Sequence, residues 1–289
     1  MARGDRSQCQ ETWQGARESA LVQAMPINPQ RVASELSERL PEPCIVTADS
    51  GTMTVWYARQ LRFRRGMMGS VSGTLATMDC AIPYAIAAKF AHPERPAIAL
   101  VGDGAVQMNG ISEMITIAKY WRRWADPRLV IMVLNIRELA YVTWEERIQA
   151  GDPKWPPSQD LPDLPYADSA KLMGLGGRRV TDPEQVGPAW DEALAADRPF
   201  VLDMVTNPNV PTLPPHITFA QAHGLAGALV SGEREAGNVV ISTACSLLGR
   251  YCPAERKFES LRASRRQTTS VGPHRHSEER SKPRKEPVA

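Results

Sequence analysis

Four short apolar runs divide the chain, and stretches of helical pattern separate them. The runs occupy residues 44–49, 97–101, 129–134 and 200–205. Runs of this length that are apolar at successive positions are typical of strands buried on both faces. Their alternation with helical stretches indicates parallel strands joined by helical crossovers. We therefore predict an α/β, doubly wound, mostly parallel sheet flanked by helices in three layers.

The predicted helices have recognisable starts and apolar faces. Asn28 suits an N-cap, Pro29 suits a first turn, and Val32, Leu36 and Leu40 form an apolar stripe. Further helices are predicted at residues 83–90, 111–124, 167–173 and 183–196. The last of these opens with an Asp-Pro pair, which is a common helix start.

Composition divides the chain into one large domain and two flanking segments. With 289 residues and 43% hydrophobic side chains, the chain can bury a substantial core. We predict an irregular segment at 1–25, a folded domain at 26–235 and a variable, disordered basic tail at 236–289. Residues 251–289 contain ten Lys and Arg against five Asp and Glu, and almost no aliphatic side chains.

Charge and cysteine usage exclude several classes of protein. The net charge is +2, and the basic tail supplies all of this excess, so the main body does not resemble a nucleic-acid binder. The five cysteines form no CxxC pair, and none of the five histidines has metal-ligand spacing. No apolar run approaches 18 residues and no signal-peptide core is present, so we expect a cytoplasmic protein without membrane spans.

The segment most informative about chemistry is Gly102-Asp103-Gly104, which follows a predicted buried strand. Ligands of open parallel sheets bind at the carboxyl ends of strands. Glycines allow close approach of the backbone and can present N–H groups to phosphate, while a carboxylate beside phosphate requires a bridging cation such as Mg²⁺. Alone, the motif also suits a structural turn in which the aspartate binds local N–H groups. It fits neither the Rossmann nor the Walker pattern.

Four sequence blocks, which follow one another in the order found in a known family, indicate the function of this segment. They are TADSGTMTVWYAR (47–59), GTLATM with IPYAIAAK (73–89), PERP before IALVGDG (93–104), and VLNIRELAYVTWE (133–145). Together they resemble the C-terminal, diphosphate-binding domain of thiamine-diphosphate enzymes of the acetolactate synthase, pyruvate oxidase and benzoylformate decarboxylase group. The resemblance covers about residues 26–230 and implies thiamine diphosphate and Mg²⁺ as cofactors.

The resemblance also implies roles for individual residues. Asp103 would bind Mg²⁺, with the Glu138 backbone carbonyl as a second ligand. Met78 would lie beneath the thiazolium ring, and Val142 and Glu145 match positions that face the substrate. The remaining cofactor-binding positions would be Asp49, Gly51, Thr52, Thr77, Gly102, Gly104 and Ala105.

Ordinary structural roles explain several of these residues equally well. A methionine at position 78 is a common core filler. Thr52 suits a helix cap, and Glu145, next to Glu146 and Arg147, suits a solvated helix face.

Two residues depart from the family pattern. Where the family has a second asparagine as side-chain metal ligand, this chain has Ile136, which offers no oxygen. Asn135 is a doubtful substitute, because a shift of one residue on a strand reverses the direction of a side chain. Asp79 stands where relatives carry a small residue, and it would bring a carboxylate towards the diphosphate. Both changes predict weakened cofactor or metal binding.

The resemblance implies chemistry on 2-oxo acids, but it covers one domain. Relatives have a pyrimidine-binding domain that carries an activating glutamate, and nothing in residues 1–25 suits that domain. We expect either a homo-oligomer or a separate pyrimidine-domain subunit as partner. The alternative is a truncated, non-catalytic remnant or interaction module with impaired cofactor binding.

Overall fold

The computed structural model describes residues 3–213 and 217–248. Its centre is a sheet of six parallel strands in the order β2-β1-β3-β4-β6-β5. The strands are β1 (Ile45–Ala48), β2 (Met68–Val71), β3 (Ala97–Gly102), β4 (Leu129–Asn135), β5 (Gly176–Val180) and β6 (Phe200–Val205).

Helices connect the strands and cover both faces of the sheet. They are α1 (Arg3–Leu21), α2 (Pro29–Arg39), α3 (Thr52–Gln60), α4 (Ala81–Ala91), α5 (Asp103–Ala105), α6 (Ile111–Tyr120), α7 (Ala140–Glu145), α8 (Pro156–Gln159), α9 (Tyr166–Leu172), α10 (Val186–Leu194), α11 (Phe219–Val230) and α12 (Ala236–Leu248). A π-helical turn, Val106–Gly110, joins α5 to α6, and another, Glu146–Ala150, extends α7.

The central strands bury both faces, as the apolar runs predict. On β3, Ile98 and Leu100 contribute to a core shared with α2, α3 and α10. Ala99 and Val101 point to the opposite face and contribute to a core shared with α4, α6 and α9. Because successive side chains of a strand alternate between faces, this pattern requires a helical layer on each side. The doubly wound, three-layer prediction is confirmed.

The helix after Asn28 forms as predicted, while both flanking segments differ from expectation. The Asn28 side chain accepts a hydrogen bond from the Gln30 N–H at 3.0 Å. The predicted irregular segment 1–25 is wrong for Arg3–Leu21, which is helix α1 and packs on α2 and α3. Likewise, Ala236–Leu248 of the predicted disordered tail is helix α12. The rest of that tail, 249–289, lies outside the described residues.

The chain reverses its direction of strand addition between β1 and β3. The strand after β1 lies on one side of it, whereas β3 and β4 lie on the other. In open parallel sheets such a switch point opens a crevice at the carboxyl ends of the strands. None of the described helices is both long and apolar enough to cross a membrane.

Candidate functional site

A cleft of about 230 Å³ opens at the carboxyl ends of β1, β3 and β4. Three stretches build most of its wall: the turn after β1, the start of the helix after β3, and the loop after β4. Its lining residues are Ser50, Gly51, Thr52, Ala76, Met78, Gly102, Asp103, Gly104, Ala105, Ile136, Glu138, Leu139, Ala140, Tyr141 and Val142. Segments that are far apart in the sequence therefore meet at the switch point.

Two glycines leave free space in this cleft. A Cβ added at Gly51 or Gly102 would meet no atom within 4 Å. Gly51 has a φ of 104°, which L-residues rarely adopt, so the backbone itself requires glycine there. Gly102 has a φ of −82°, which any residue can adopt, so its missing side chain serves only to keep the cleft open.

The end of β3 holds a buried carboxylate bound by backbone N–H groups. Asp103 is 3% exposed, and its Oδ1 accepts a hydrogen bond from the Gly104 N–H at 2.8 Å. Its Oδ2 accepts a hydrogen bond from the Arg137 N–H of the loop after β4. Burial raises the pKa of Asp103 to about 6, although these N–H donors favour the ionised form. The carboxylate thus ties the two strand ends together.

Gly104 allows the wall to close tightly beside Asp103. A Cβ at this position would lie 2.8 Å from Leu139 Cδ2 and 3.5 Å from the terminal methyl carbon of Met78. Met78 is half-buried, lines the cleft and also packs against the core on the α4 side of the sheet. The structure therefore brings Met78 next to the Gly-Asp-Gly turn, while also giving it the packing role that the sequence left open.

The end of β4 presents an apolar side chain to the cleft. Ile136 is 5% exposed, lines the cleft and belongs to the core beneath α2 and α3. Asn135 is directed elsewhere: its Nδ2 donates hydrogen bonds to Asp203 Oδ1 at 2.8 Å and to Asp163 Oδ1 at 3.2 Å. Arg179 binds both of these aspartates, which fixes the network. The structure does not bring the Asn135 side chain to Asp103.

The loop after Ile136 is held by a lysine that the sequence did not single out. The Lys154 ammonium binds the buried carboxylate of Glu138 and lies 2.6 Å from Asp160 Oδ1. Backbone bonds fix the residues on either side of Glu138: the Leu139 N–H binds the Gln159 carbonyl at 2.8 Å, and the Leu161 N–H binds the Arg137 carbonyl at 3.0 Å. The position of the Glu138 carbonyl is therefore defined from both sides.

Lys154 also connects this loop to the C-terminal helices. Its backbone N–H donates to Glu233 Oε2 at 3.1 Å, and the same oxygen accepts from Arg147 Nε at 2.8 Å. The Arg147 and Glu233 side chains are each 1% exposed. Glu233 lies between α11 and α12, and Arg147 lies in the π-helical turn that extends α7. Their buried ion pair therefore connects the C-terminal helices, through Lys154, to the cleft loop.

Asp49 and Asp79 lie beneath the cleft rather than in its lining. Asp49 is fully buried and accepts a hydrogen bond from the Ala81 N–H at 2.9 Å. Asp79 has a φ of 61° and is 4% exposed, and its Oδ1 lies 3.1 Å from a Cβ position built on Gly110. Burial raises the pKa of Asp79 to about 7, and the nearby charges of Asp49 and Glu113 add to the shift. Burial likewise raises the pKa of Asp49 to about 6.

The structure assembles most of the predicted site residues and separates a few. Gly51, Thr52, Met78 and Glu138 join residues 102–105 in the cleft. Thr77 is exposed and accepts a hydrogen bond from Ser72, and Glu145 is exposed on α7. Sequence reasoning missed Ala76, Leu139, Ala140 and Tyr141 as lining residues, although all four belong to the blocks that carry the resemblance.

Comparison with known families decides what this arrangement is. The family described as "Thiamine pyrophosphate enzyme, C-terminal TPP binding domain" matches residues 49–204, which is more than half of the chain. The chain belongs to this family. The matched range starts at the buried aspartate after β1 and ends within β6, so it contains the whole wall of the cleft. The resemblance inferred from the four sequence blocks is confirmed.

Relatives of this thiamine pyrophosphate enzyme domain are much longer proteins. YdaP of Bacillus subtilis (strain 168) is 34% identical over 217 residues, which are 75% of this chain and 36% of YdaP. The mitochondrial acetolactate synthase catalytic subunit of Aspergillus candidus is 30% identical over 191 residues, which are 65% of this chain and 26% of that subunit. The chain thus spans about a third of the length of the curated relatives it matches.

A solved structure shows the same fold. The thiamine diphosphate-dependent 4-hydroxybenzoylformate decarboxylase of Rhodococcus jostii RHA1 superimposes with a TM-score of 0.56 at 23% sequence identity. The superposition covers 64% of this chain and 33% of the decarboxylase.

The cleft residues of the domain fit thiamine diphosphate better than they fit a metal ion. Free space at Gly51 and Gly102, and N–H groups at the start of the helix after β3, suit a diphosphate. A divalent cation would find the Asp103 carboxylate and the Glu138 carbonyl, but only alkyl carbon at Ile136. Among the described residues, no three acidic, histidine or cysteine side chains converge to hold a metal. The protein ligands alone do not complete a metal site.

Proposed function

We propose that this domain binds thiamine diphosphate in the cleft and works in an enzyme that processes 2-oxo acids. The observation that carries the proposal is the convergence of the turn after β1, Met78 and the Gly102-Asp103-Gly104 turn on one cleft. Each comes from a different sequence block, and only the fold brings them together. Membership of the thiamine pyrophosphate enzyme family supports the choice of cofactor.

Each wall of the cleft would hold a different part of the cofactor. The Gly104 N–H donates to Asp103, so the Ala105 N–H and the start of the helix after β3 are the groups that favour negative charge, and the diphosphate would lie at this wall. The Gly51-Thr52 turn would close over it from the end of β1. Met78, with Leu139 and Val142 nearby, gives an apolar wall for the thiazolium ring. When bound, the cofactor supplies the carbon nucleophile for attack on a 2-oxo acid.

We propose that the cleft also binds Mg²⁺, but with reduced affinity. Asp103 and the Glu138 carbonyl would be its protein ligands, and the diphosphate itself would supply further oxygens. Asn135 is held by Asp203 and Asp163, so it is not free to replace the missing ligand at position 136. We therefore expect thiamine diphosphate to bind with a small dependence on Mg²⁺.

A complete active site would need a second domain. The curated relatives are about three times longer than the matched segment, which supports a working unit larger than this domain. We propose that a pyrimidine-binding domain faces the open side of the cleft, either as a separate subunit or in a larger polypeptide. Ile136 is the observation that favours the rival proposal, a non-catalytic module with impaired cofactor binding.

Blocking the cleft without disturbing the fold tests the proposal. In Gly102→Val the new side chain enters free space, and the backbone already has strand geometry. We expect the variant to fold normally but to lose thiamine diphosphate binding at least tenfold, measured by isothermal titration calorimetry. Thiamine diphosphate should also bind the unmodified domain more tightly than thiamine monophosphate, and thiamine should bind least.

Gly73→Val is the matched control. A Cβ at Gly73 also meets no atom within 4 Å, but Gly73 does not line the cleft. Its affinity for thiamine diphosphate should equal that of the unmodified domain. Equal affinity of all three proteins, or equal affinity for thiamine and thiamine diphosphate, would place the cofactor outside this cleft.

A further inference from the structure

A second pocket lies among the first three helices, apart from the cofactor cleft. It has a volume of about 380 Å³ and lies between α1, α2 and the segment that follows α3. Its walls include Trp13, Arg17, Ser34, Gln60, Arg62 and Arg64. None of its lining residues contributes to the cofactor cleft. The volume is in the range of pockets that bind small molecules.

The charges of this Arg62 pocket favour an anion. Three arginines line it against one acidic residue, Glu38, and a second carboxylate, Glu42, pairs with Arg64 from outside the lining. The Arg17–Glu38 pair is more than half exposed, so it is weak and easily exchanged for another partner. Arg62 has no carboxylate partner within the described ranges 3–213 and 217–248, and its guanidinium carbon lies 4.6 Å from the Trp13 ring centroid.

The remaining walls are fixed before any ligand arrives. Arg64 donates to the Leu40 carbonyl at 2.6 Å and to the Ser37 carbonyl at 3.3 Å, so its guanidinium has a defined position. Gln60 is 4% exposed and donates to the Ala16 carbonyl at 3.2 Å, which fastens α1 to α3. The Arg62 N–H donates to the Ser37 hydroxyl oxygen at 3.0 Å. Little ordering is therefore needed for binding.

We propose that the Arg62 pocket binds a small molecule that carries a phosphate group. The planar guanidinium fork of Arg62 matches the oxygens of a phosphate, Ser34 adds a hydroxyl, and Arg64 contributes positive charge from a fixed position. Trp13 and the methylene stems of the arginines give the pocket an apolar side. The volume exceeds what a free phosphate fills, so a nucleoside monophosphate suits it better.

Calorimetric titration of the full chain tests this proposal with three probes. These are adenosine monophosphate, inorganic phosphate and adenosine, each titrated into the unmodified chain and into Gly102→Val, in which the cofactor cleft is blocked. We expect adenosine monophosphate to bind best, inorganic phosphate to bind more weakly and adenosine to show no binding. Equal binding of inorganic phosphate and the nucleotide would assign the site to free phosphate and overturn the proposed ligand.

Variants distinguish this pocket from other basic surfaces. Arg62→Gln should weaken nucleotide binding at least tenfold, whereas Arg65→Gln removes the same charge from an exposed neighbour outside the pocket and should have no effect. Ser34→Asp, which adds a carboxylate to a half-buried helix position, should also abolish binding. All variants should keep the helical circular dichroism signal. Equal losses in Arg62→Gln and Arg65→Gln, or no nucleotide binding by the unmodified chain, would overturn the proposal.

Discussion

The carboxyl ends of β3 and β4 face the same cleft, but β3 ends in a carboxylate and β4 is followed by an alkyl side chain. At the end of β3, Asp103 brings a carboxylate to the cleft, and the backbone of Gly104 and Ala105 lines it. At the end of β4, Ile136 presents alkyl carbon, and the neighbouring Asn135 is bound on another side by Asp203. Two walls of one cleft therefore differ in polarity.

A hydrogen bond nevertheless connects the two strand ends. Asp103 accepts the N–H of Arg137, a residue with a φ of 62°, so the carboxylate helps to hold a strained loop. Asp103 thus has a structural role that needs no metal.

Removing Asp103 should give the largest effect because it breaks the connection between the two ends. Asp103→Ala leaves two backbone donors without an acceptor, and we expect a loss of about 2–3 kcal/mol in the free energy of unfolding. Thiamine diphosphate affinity should fall more than tenfold. Denaturant unfolding and calorimetry measure the two quantities. Asp103→Asn keeps a carbonyl acceptor and should lose less stability than Asp103→Ala; equal losses would contradict the structural role.

Adding an oxygen at position 136 should make the two strand ends more alike in polarity. Ile136→Asn adds a potential ligand to the Asp103 carboxylate and the Glu138 carbonyl. One added ligand worth about 1.4 kcal/mol would increase the effect of Mg²⁺ on thiamine diphosphate affinity about tenfold. Calorimetry with and without Mg²⁺ measures this ratio. Ile136→Val changes the volume without adding oxygen, so a similar gain in that control would show that space, and not a ligand, limits binding.

Replacing Lys154 tests whether the loop after β4 depends on the Lys154–Glu138 ion pair for its position. Lys154→Met leaves the buried carboxylate of Glu138 without its cation, and we expect a loss of about 2 kcal/mol in unfolding free energy. Because the Glu138 carbonyl lies on the same loop, thiamine diphosphate affinity should fall about threefold. Lys154→Arg should recover most of both losses. An unchanged affinity in Lys154→Met would show that the loop keeps its position without the ion pair.

The end of β3 is well predicted from the sequence because the residues that define it are close together in the chain. A buried strand, two glycines and a carboxylate lie within eight residues, and the strands β3, β4 and β6 are buried on both faces and mostly apolar. The edge strands β2 and β5 escape prediction because Met68–Val71 is largely exposed, Gly176–Val180 is mostly half-buried, and neither contains an apolar run. Lys154 also escapes, because only the folding of the loop between α7 and α8 brings it to Glu138. Helix α1 is polar along most of its length, so its packing is equally invisible in the pattern.

At Asp79, an effect on folding stability can be distinguished from an effect on cofactor binding in the cleft. Sequence comparison expects its carboxylate to oppose cofactor binding, whereas the structure directs it towards Gly110, away from the cleft lining. A pKa raised from 3.8 to about 7 means that the folded protein holds this proton more tightly than the unfolded chain does. Ionisation therefore costs stability progressively as the pH rises from about 4 to 7, and the cost is complete above that range.

Replacing this carboxyl with an amide should remove the pH-dependent cost while keeping the backbone conformation. Asparagine tolerates positive φ, so we expect Asp79→Asn to be about 1–2 kcal/mol more stable than the unmodified protein at pH 8 and nearly equal to it at pH 4. Thermal unfolding across this pH range measures the difference, and Glu113→Gln is a control that removes a more distant charge. Thiamine diphosphate affinity should not change. If Asp79→Asn instead binds the cofactor much more tightly at constant stability, its carboxylate acts on the cleft, and the β3 side of the site is impaired as well as the β4 side.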